Sequence, residues 1–77
     1  MELQGFIKDF AEQFDDTEED EIQADTDFTE LDEWSSLTAI RIIAFIDVQY
    51  EVSISAREIR QAKTVEELFN IVRSKKS

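Results

Sequence analysis

At 77 residues the chain has room for one domain, residues 1–77, of a size that buries roughly 60% of its unfolded surface. It contains no cysteine and no histidine. That excludes disulfides, zinc sites of the usual ligand sets and any Ser-His or Cys-His nucleophile pair, and it removes the commonest general acid–base residue. Its net charge of -11, from 19 acids against 8 bases, repels phosphate backbones and anionic lipid leaflets.

These exclusions leave a non-enzymatic protein whose partners are other proteins with basic surfaces, with neither nucleic acid nor membrane among them. The first ten residues, MELQGFIKDF, set acids inside their apolar run, unlike a signal peptide. No apolar stretch approaches the ~20 residues of a membrane span. A cytoplasmic monomer is the expectation. The acidity is concentrated: residues 1–33 hold fourteen acids and a single base, Lys8.

In chain order, Leu3, Phe6, Ile7, Phe10 and Phe14 recur at helical spacing opposite Glu2, Lys8, Asp9, Glu12 and Gln13, which predicts an amphipathic first helix. From Asp15 to Glu33 the period is lost and eleven of nineteen residues are acids. Ile22, Phe28 and Leu31 interrupt that run, so the expectation is a long ordered loop pinned at intervals to a core, with a mobile tip.

A second helix is predicted from Ser36 to Glu51. It carries one apolar stripe of Ala39, Ile42, Ile43, Ile46 and Tyr50, and another beside it of Leu37, Ile40, Ala44 and Val48. A helix apolar most of the way round sits in a large core or keeps a second face for something else. A domain of this size has no large core, so the second face calls for a ligand or a partner.

Ser55 with Glu58 and Thr64 with Glu67 both fit the capping box, in which each side chain satisfies the other's backbone N–H. The first opens a short helix holding Ile59. The second opens a last helix with Val65, Leu68, Phe69 and Val72 facing the core. Arg73, Lys75 and Lys76 close it at the negative end of its dipole. The expected fold is all-α: a small bundle of three main helices plus one short helix, with a long acidic loop after the first. Its expected core is Leu3, Phe6, Phe10, Phe14, Ile22, Phe28, Ile42, Ile46, Ile54, Ile59, Val65, Leu68 and Val72.

The stretch DFTELDEWSSLTAIRIIAFIDVQYEVSI, residues 27–54, resembles the acyl and peptidyl carrier protein family. There an acidic loop with a Phe leads to Asp-Ser-Leu, an apolar helix, and an aromatic followed by an I-x-I-like pair. Here Phe28 lies eight residues before Ser36, Ser36-Leu37 matches the Ser-Leu, and Tyr50-Glu51-Val52-Ser53-Ile54 matches the helix end. TVEELFNIV resembles the family's last helix.

The resemblance implies that a phosphopantetheinyl transferase attaches 4′-phosphopantetheine, drawn from coenzyme A, to the Ser36 hydroxyl. The arm's thiol then carries acyl groups as thioesters among acyl-loading and acyl-processing enzymes of fatty acid, polyketide or related biosynthesis. It implies partner recognition through Trp34, Ser35, Leu37, Ile40, Arg41, Ala44, Asp47 and Val48. It also implies an acyl pocket around Phe28, Ile46, Ile54 and Ile59, between the second helix and the segment that follows it.

Taken alone, a serine at a helix start is as readily a cap; Ser35 caps equally well, which frees Ser36 to lie just inside the helix. Trp34 reads equally as a docking residue or as a loop residue folded onto the core. The chain departs from the family where Ser35 replaces the acid before the modified serine and Arg41 replaces an exposed acid. Docking is therefore expected to lean on apolar contact more than on charge, with dedicated partners. An aminoacyl or peptidyl carrier, or a carrier-fold interaction module that is never modified, are the alternatives. Asp25-Thr26-Asp27 is not a calcium loop, because Glu30 and Ser36 stand where an EF-hand needs its glycine and its glutamate, and no metal site is expected.

Overall fold

The computed structural model describes residues 2–76. Four helices appear in order: α1 (Leu3–Ala11), α2 (Ser36–Tyr50), α3 (Ala56–Ala62) and α4 (Val65–Lys76). The described residues form no strand, and the architecture is the expected all-helical bundle with one short helix. α3 lies against both α2 and α4, and α4 packs on α1 and α2.

α1 buries Phe6, Ile7, Phe10 and Ala11, the face its spacing selects. Its end tapers through i→i+3 hydrogen bonds, Gln13 N–H to Phe10 and Phe14 N–H to Ala11, which satisfy carbonyls the helix would leave open. They also deliver Phe14 to the core. Of the expected core residues all are buried except Leu3, which sits half-exposed at the rim in the first turn.

The acidic loop contains two 3₁₀ turns, Glu19–Glu21 and Phe28–Glu30. The Glu21 carboxylate accepts the Glu18 N–H at the first, and Asp27 accepts the Thr29 N–H at the second. Ile22 and Phe28 are buried pins and Leu31 is half-buried. What fixes the second half of the loop is backbone. Asp27 and Thr64 form an isolated antiparallel bridge. Phe28 N–H donates to Lys63 (3.1 Å), Val65 N–H to Thr26 (3.3 Å) and Glu66 N–H to Ala24 (2.9 Å). The loop is thereby stitched to the α3–α4 junction.

α2 starts as predicted and ends one residue early. Glu51 adopts φ 57, ψ 40 and stops the helix as a left-handed cap, a conformation glycine usually takes. Lys76 Nζ donates to the Tyr50 carbonyl at 2.9 Å and covers that end. Ile42 and Ile46 of the first stripe are buried, while Ala39, Ile43 and Tyr50 are half-buried. Phe45, on neither stripe, is buried against Phe6 and Tyr50. Val52 is buried as well.

The Ser55–Glu58 capping box is complete. The Thr64–Glu67 box is only half formed, contrary to expectation. Glu67 N–H donates to Thr64 Oγ1, but the Thr64 N–H is taken by the Ala62 carbonyl at 2.7 Å. Lys63, between them, has φ 66 and ψ -52. This is a γ-turn with positive φ at its centre, the rarer and more strained kind. With that N–H occupied, the Glu67 carboxylate accepts the Thr64 hydroxyl instead.

The core contains no buried polar or charged residue among those described. Aromatic rings run through it: Phe69 to Phe6 (5.5 Å), Phe6 to Phe10 (6.2 Å), Phe10 to Phe28 (5.6 Å) and Phe28 to Trp34 (4.9 Å). This line ends at the turn before Ser36.

Candidate functional site

Two consecutive serines open α2, and the fold gives them different work. Ser35 is extended (φ -157, ψ 174) and its Oγ accepts the Thr38 N–H at 3.3 Å, so it is the cap. Thr38 Oγ1 donates onward to the Glu33 carbonyl at 2.8 Å. Ser36 is the first helical residue, exposed, and its hydroxyl has no hydrogen-bond partner among the described residues. The N–H groups of Ser36 and Leu37 are likewise unpartnered, as the first N–H groups of a helix are when no side chain reaches them. An exposed hydroxyl thus stands at the positive end of a fifteen-residue helix dipole.

The turn before it is clamped. The Glu33 carboxylate accepts the N–H groups of Asp15 and Asp16 and the Thr17 hydroxyl, each at 2.8 Å. Desolvation raises the pKa of this carboxyl, but the hydrogen bonds from Asp15, Thr17 and Asp16 outweigh it and leave the group below the usual carboxylate range. Arg41 adds a second clamp, donating to the Gln13 carbonyl at 3.1 Å and lying 3.5 Å from the Asp15 carboxylate. Its cation sits just beyond the C-terminus of α1, where positive charge is favoured.

Beside Ser36 lies a cavity of about 230 Å³ lined by Trp34, Ser35, Ser36, Ala39, Ala56, Ile59 and Arg60. Of the four residues expected around a pocket, Ile59 borders this cavity, whereas Phe28, Ile46 and Ile54 lie in the packed core. The small residues Ala39 and Ala56 leave the space between α2 and α3. Ala39 follows from its spacing to Ser36, while Ala56 and Arg60 could not be placed there without the packing of α3 on α2.

The residues expected to meet partners lie on α2 and the turn before it. Leu37, Ile40 and Val48 are 66%, 61% and 79% exposed, and Ala44 and Asp47 are exposed with them. Trp34 is half-buried, its ring packed on Phe28 and its backbone N–H bonded to the Leu31 carbonyl, and it also borders the cavity. Arg41, Ala44 and Val48 line a further groove of about 470 Å³ between α1 and α2, with Asp9 and Glu12 on its far side. At the opposite end of α2, Tyr50 donates to Asp9 at 3.2 Å; burial first, and the Asp9 carboxylate second, push its pKa up to about 12.

Comparison with known families adds one finding. A family model described as a phosphopantetheine attachment site matches residues 6–72. No curated protein and no solved structure gives a significant match. Members of that family carry 4′-phosphopantetheine covalently. The residues present fit such a group: an exposed, unpartnered serine hydroxyl, two free helix N–H groups suited to a phosphodiester, and a cavity with apolar walls alongside.

Proposed function

This chain belongs to the phosphopantetheine attachment family, whose carrier domains are non-catalytic, and from that premise we propose that it is an acyl carrier modified at Ser36. The observation that carries this reading is the setting of Ser36, exposed as the first residue of α2 with its own hydroxyl and two N–H groups unpartnered, at the mouth of the α2–α3 cavity. The arm, once attached, supplies the thiol on which cargo is held as a thioester.

This chain's part is to present and position. Ser35 caps the helix, so Ser36 need not, and Glu33 and Thr38 hold the turn that aims it. Ala39, Ala56 and Ile59 offer an apolar wall to the first carbons of a cargo. At about 230 Å³ the space suits a short acyl segment. Leu37, Ile40, Ala44 and Val48 present the surface for the transferase and for acyl-loading and acyl-processing enzymes of fatty acid, polyketide or related biosynthesis, with the chain acting as a cytoplasmic monomer. The absence of an acid at Ser35, and Arg41 among the exposed residues, favour partners that read apolar surface.

Intact mass after incubation with coenzyme A and a broad-specificity phosphopantetheinyl transferase tests the reading. A gain of one phosphopantetheinyl group, absent in Ser36→Ala, is the expected result. No gain with several transferases overturns it in favour of an unmodified interaction module. Loading of the modified protein with acyl groups in preference to aminoacyl groups separates the acyl from the peptidyl carrier.

A further inference from the structure

Most cations of the second half of the chain are already engaged. Arg41 bonds to Gln13 and pairs with Asp15, Lys75 pairs with Glu58 at 3.0 Å, Lys76 caps Tyr50, and Arg73 lies over the Phe69 ring and bonds to Asn70. Arg60, like Arg57 and Lys63, has neither an ion pair nor a side-chain hydrogen bond among the described residues, and what sets it apart from those two is its place. It borders the same cavity as Ser36. It comes from α3, whose own acid, Glu58, is committed to the Ser55 cap and to Lys75.

We propose that Arg60 is the cation of this site, pairing with an anion brought into the cavity on the arm at Ser36. The anion is the phosphodiester next to Ser36 Oγ or a carboxylate carried by the cargo. This rests on Ser36 being the attachment residue. Both anions match the planar fork of a guanidinium, which binds two oxygens at once. A phosphodiester there is held from two sides, by the free N–H groups of α2 and by a side chain from α3, so the arm ties together two helices that otherwise meet only through packing. Arg60 also lies in the last turn of α3, where a cation is favoured before any arm is attached, so its contribution to the arm is read as the change on modification and not as the stability of the unmodified chain.

The test compares unmodified and modified forms of the wild type, Arg60→Gln and Arg60→Lys by thermal unfolding and by the ³¹P resonance of the modified forms. Intact mass establishes first that the wild type is modified; failure there overturns the Ser36 reading and this proposal with it, whereas a modified wild type tests Arg60 alone. The expected result is that modification raises the wild-type midpoint by about 2–5 °C at low salt. The rise disappears in Arg60→Gln, persists in part in Arg60→Lys, and fades at 1 M salt, where the screening length falls to about 3 Å. Each variant is compared with its own unmodified form, and the ³¹P shift moves in Arg60→Gln.

Loading with succinyl or butyryl thioester, which end in a carboxylate and a methyl group, separates the sources. A rise on modification alone assigns the phosphodiester; a rise that appears only with succinyl assigns the cargo carboxylate. If Arg60→Gln keeps the wild-type differences between unmodified and modified forms and between succinyl and butyryl forms, the proposal fails.

Discussion

The two faces of α2 are made of the same kinds of residue and do opposite things. Ile42, Phe45 and Ile46 are buried in the all-apolar core, while Leu37, Ile40 and Val48 of the same helix stand more than half exposed. The buried face is fixed by packing alone, with no polar residue in the core to help it. The exposed face is fixed by polar links at its edges: Ser35 at its start, the Glu33 clamp behind it, and Arg41 reaching across to α1. Hydrophobicity therefore does not say which face of a helix folds the protein; what covers the face does.

The largest expected effect is on the buried face. Ile46→Ala leaves a cavity among close-packed neighbours and costs about 2–5 kcal/mol. For a chain of this length, total stability is on the order of 4–12 kcal/mol, so the variant sits near the edge of folding. Urea unfolding followed by circular dichroism measures it, and a loss below about 1 kcal/mol would mean that the two faces do not differ as described.

A stabilised background makes that measurement safer. Lys63 holds a positive-φ conformation at the centre of a γ-turn, a strain of about 1–3 kcal/mol for a residue with a Cβ. Glycine relieves it at some cost in unfolded-state entropy. Lys63→Gly is expected to gain about 1 kcal/mol, or roughly 4–8 °C in midpoint for a domain of this size. It leaves the Phe28 N–H to Lys63 carbonyl bond intact because that bond is backbone. An unchanged or lower midpoint would show that the turn carries no strain.

The comparison also explains what could be read from the sequence and what could not. The start of α2, its Ser35 cap, the Ser55–Glu58 box and nearly all of the core follow from local spacing, and the structure repeats them. Phe45 was missed because a helix apolar all round has no preferred face until α1 is laid on it. The incomplete Thr64 box was missed because the competing acceptor is a backbone carbonyl, Ala62, which leaves no trace in side-chain pattern. The stitching of the acidic loop to Lys63, Val65 and Glu66 is backbone for the same reason. At the candidate site, the exposed position of Ser36 just inside α2 was legible from its flanks, whereas Ala56 and Arg60 are brought beside it by the crossing of α2 and α3, which no local pattern encodes.

Smaller effects are expected from the polar links. The Glu33 carboxyl lies below the usual carboxylate range in the folded protein. Its contribution is therefore fully present above the ordinary glutamate value and lost as pH falls through the depressed folded value. Glu58, lowered by the Ser55 N–H first and by Lys75 after it, follows the same sign. The gap in midpoint between wild type and Glu33→Gln should be open at pH 7 and close as the pH falls through the acid range. Trp34 fluorescence is a local reporter, because the ring lies in the turn that Glu33 ends. A gap that is constant with pH would remove Glu33 from the clamp.

The smallest effect on stability is expected where sequence hydrophobicity is most conspicuous. Ile40 is 61% exposed, and the unfolded chain exposes it too, so its presence costs folding little and its removal gains little. Ile40→Ser should lie within about 0.5 kcal/mol of wild type, since isoleucine and serine have similar helix propensities. The same substitution should slow transfer of the phosphopantetheinyl group, because a truncated apolar anchor at an interface typically costs more than 1 kcal/mol when it is central to it. A residue whose truncation is silent in unfolding and costly in transfer serves a partner surface. The reverse outcome, a destabilised protein modified at the wild-type rate, would return Ile40 to the core and leave the exposed face of α2 without a function.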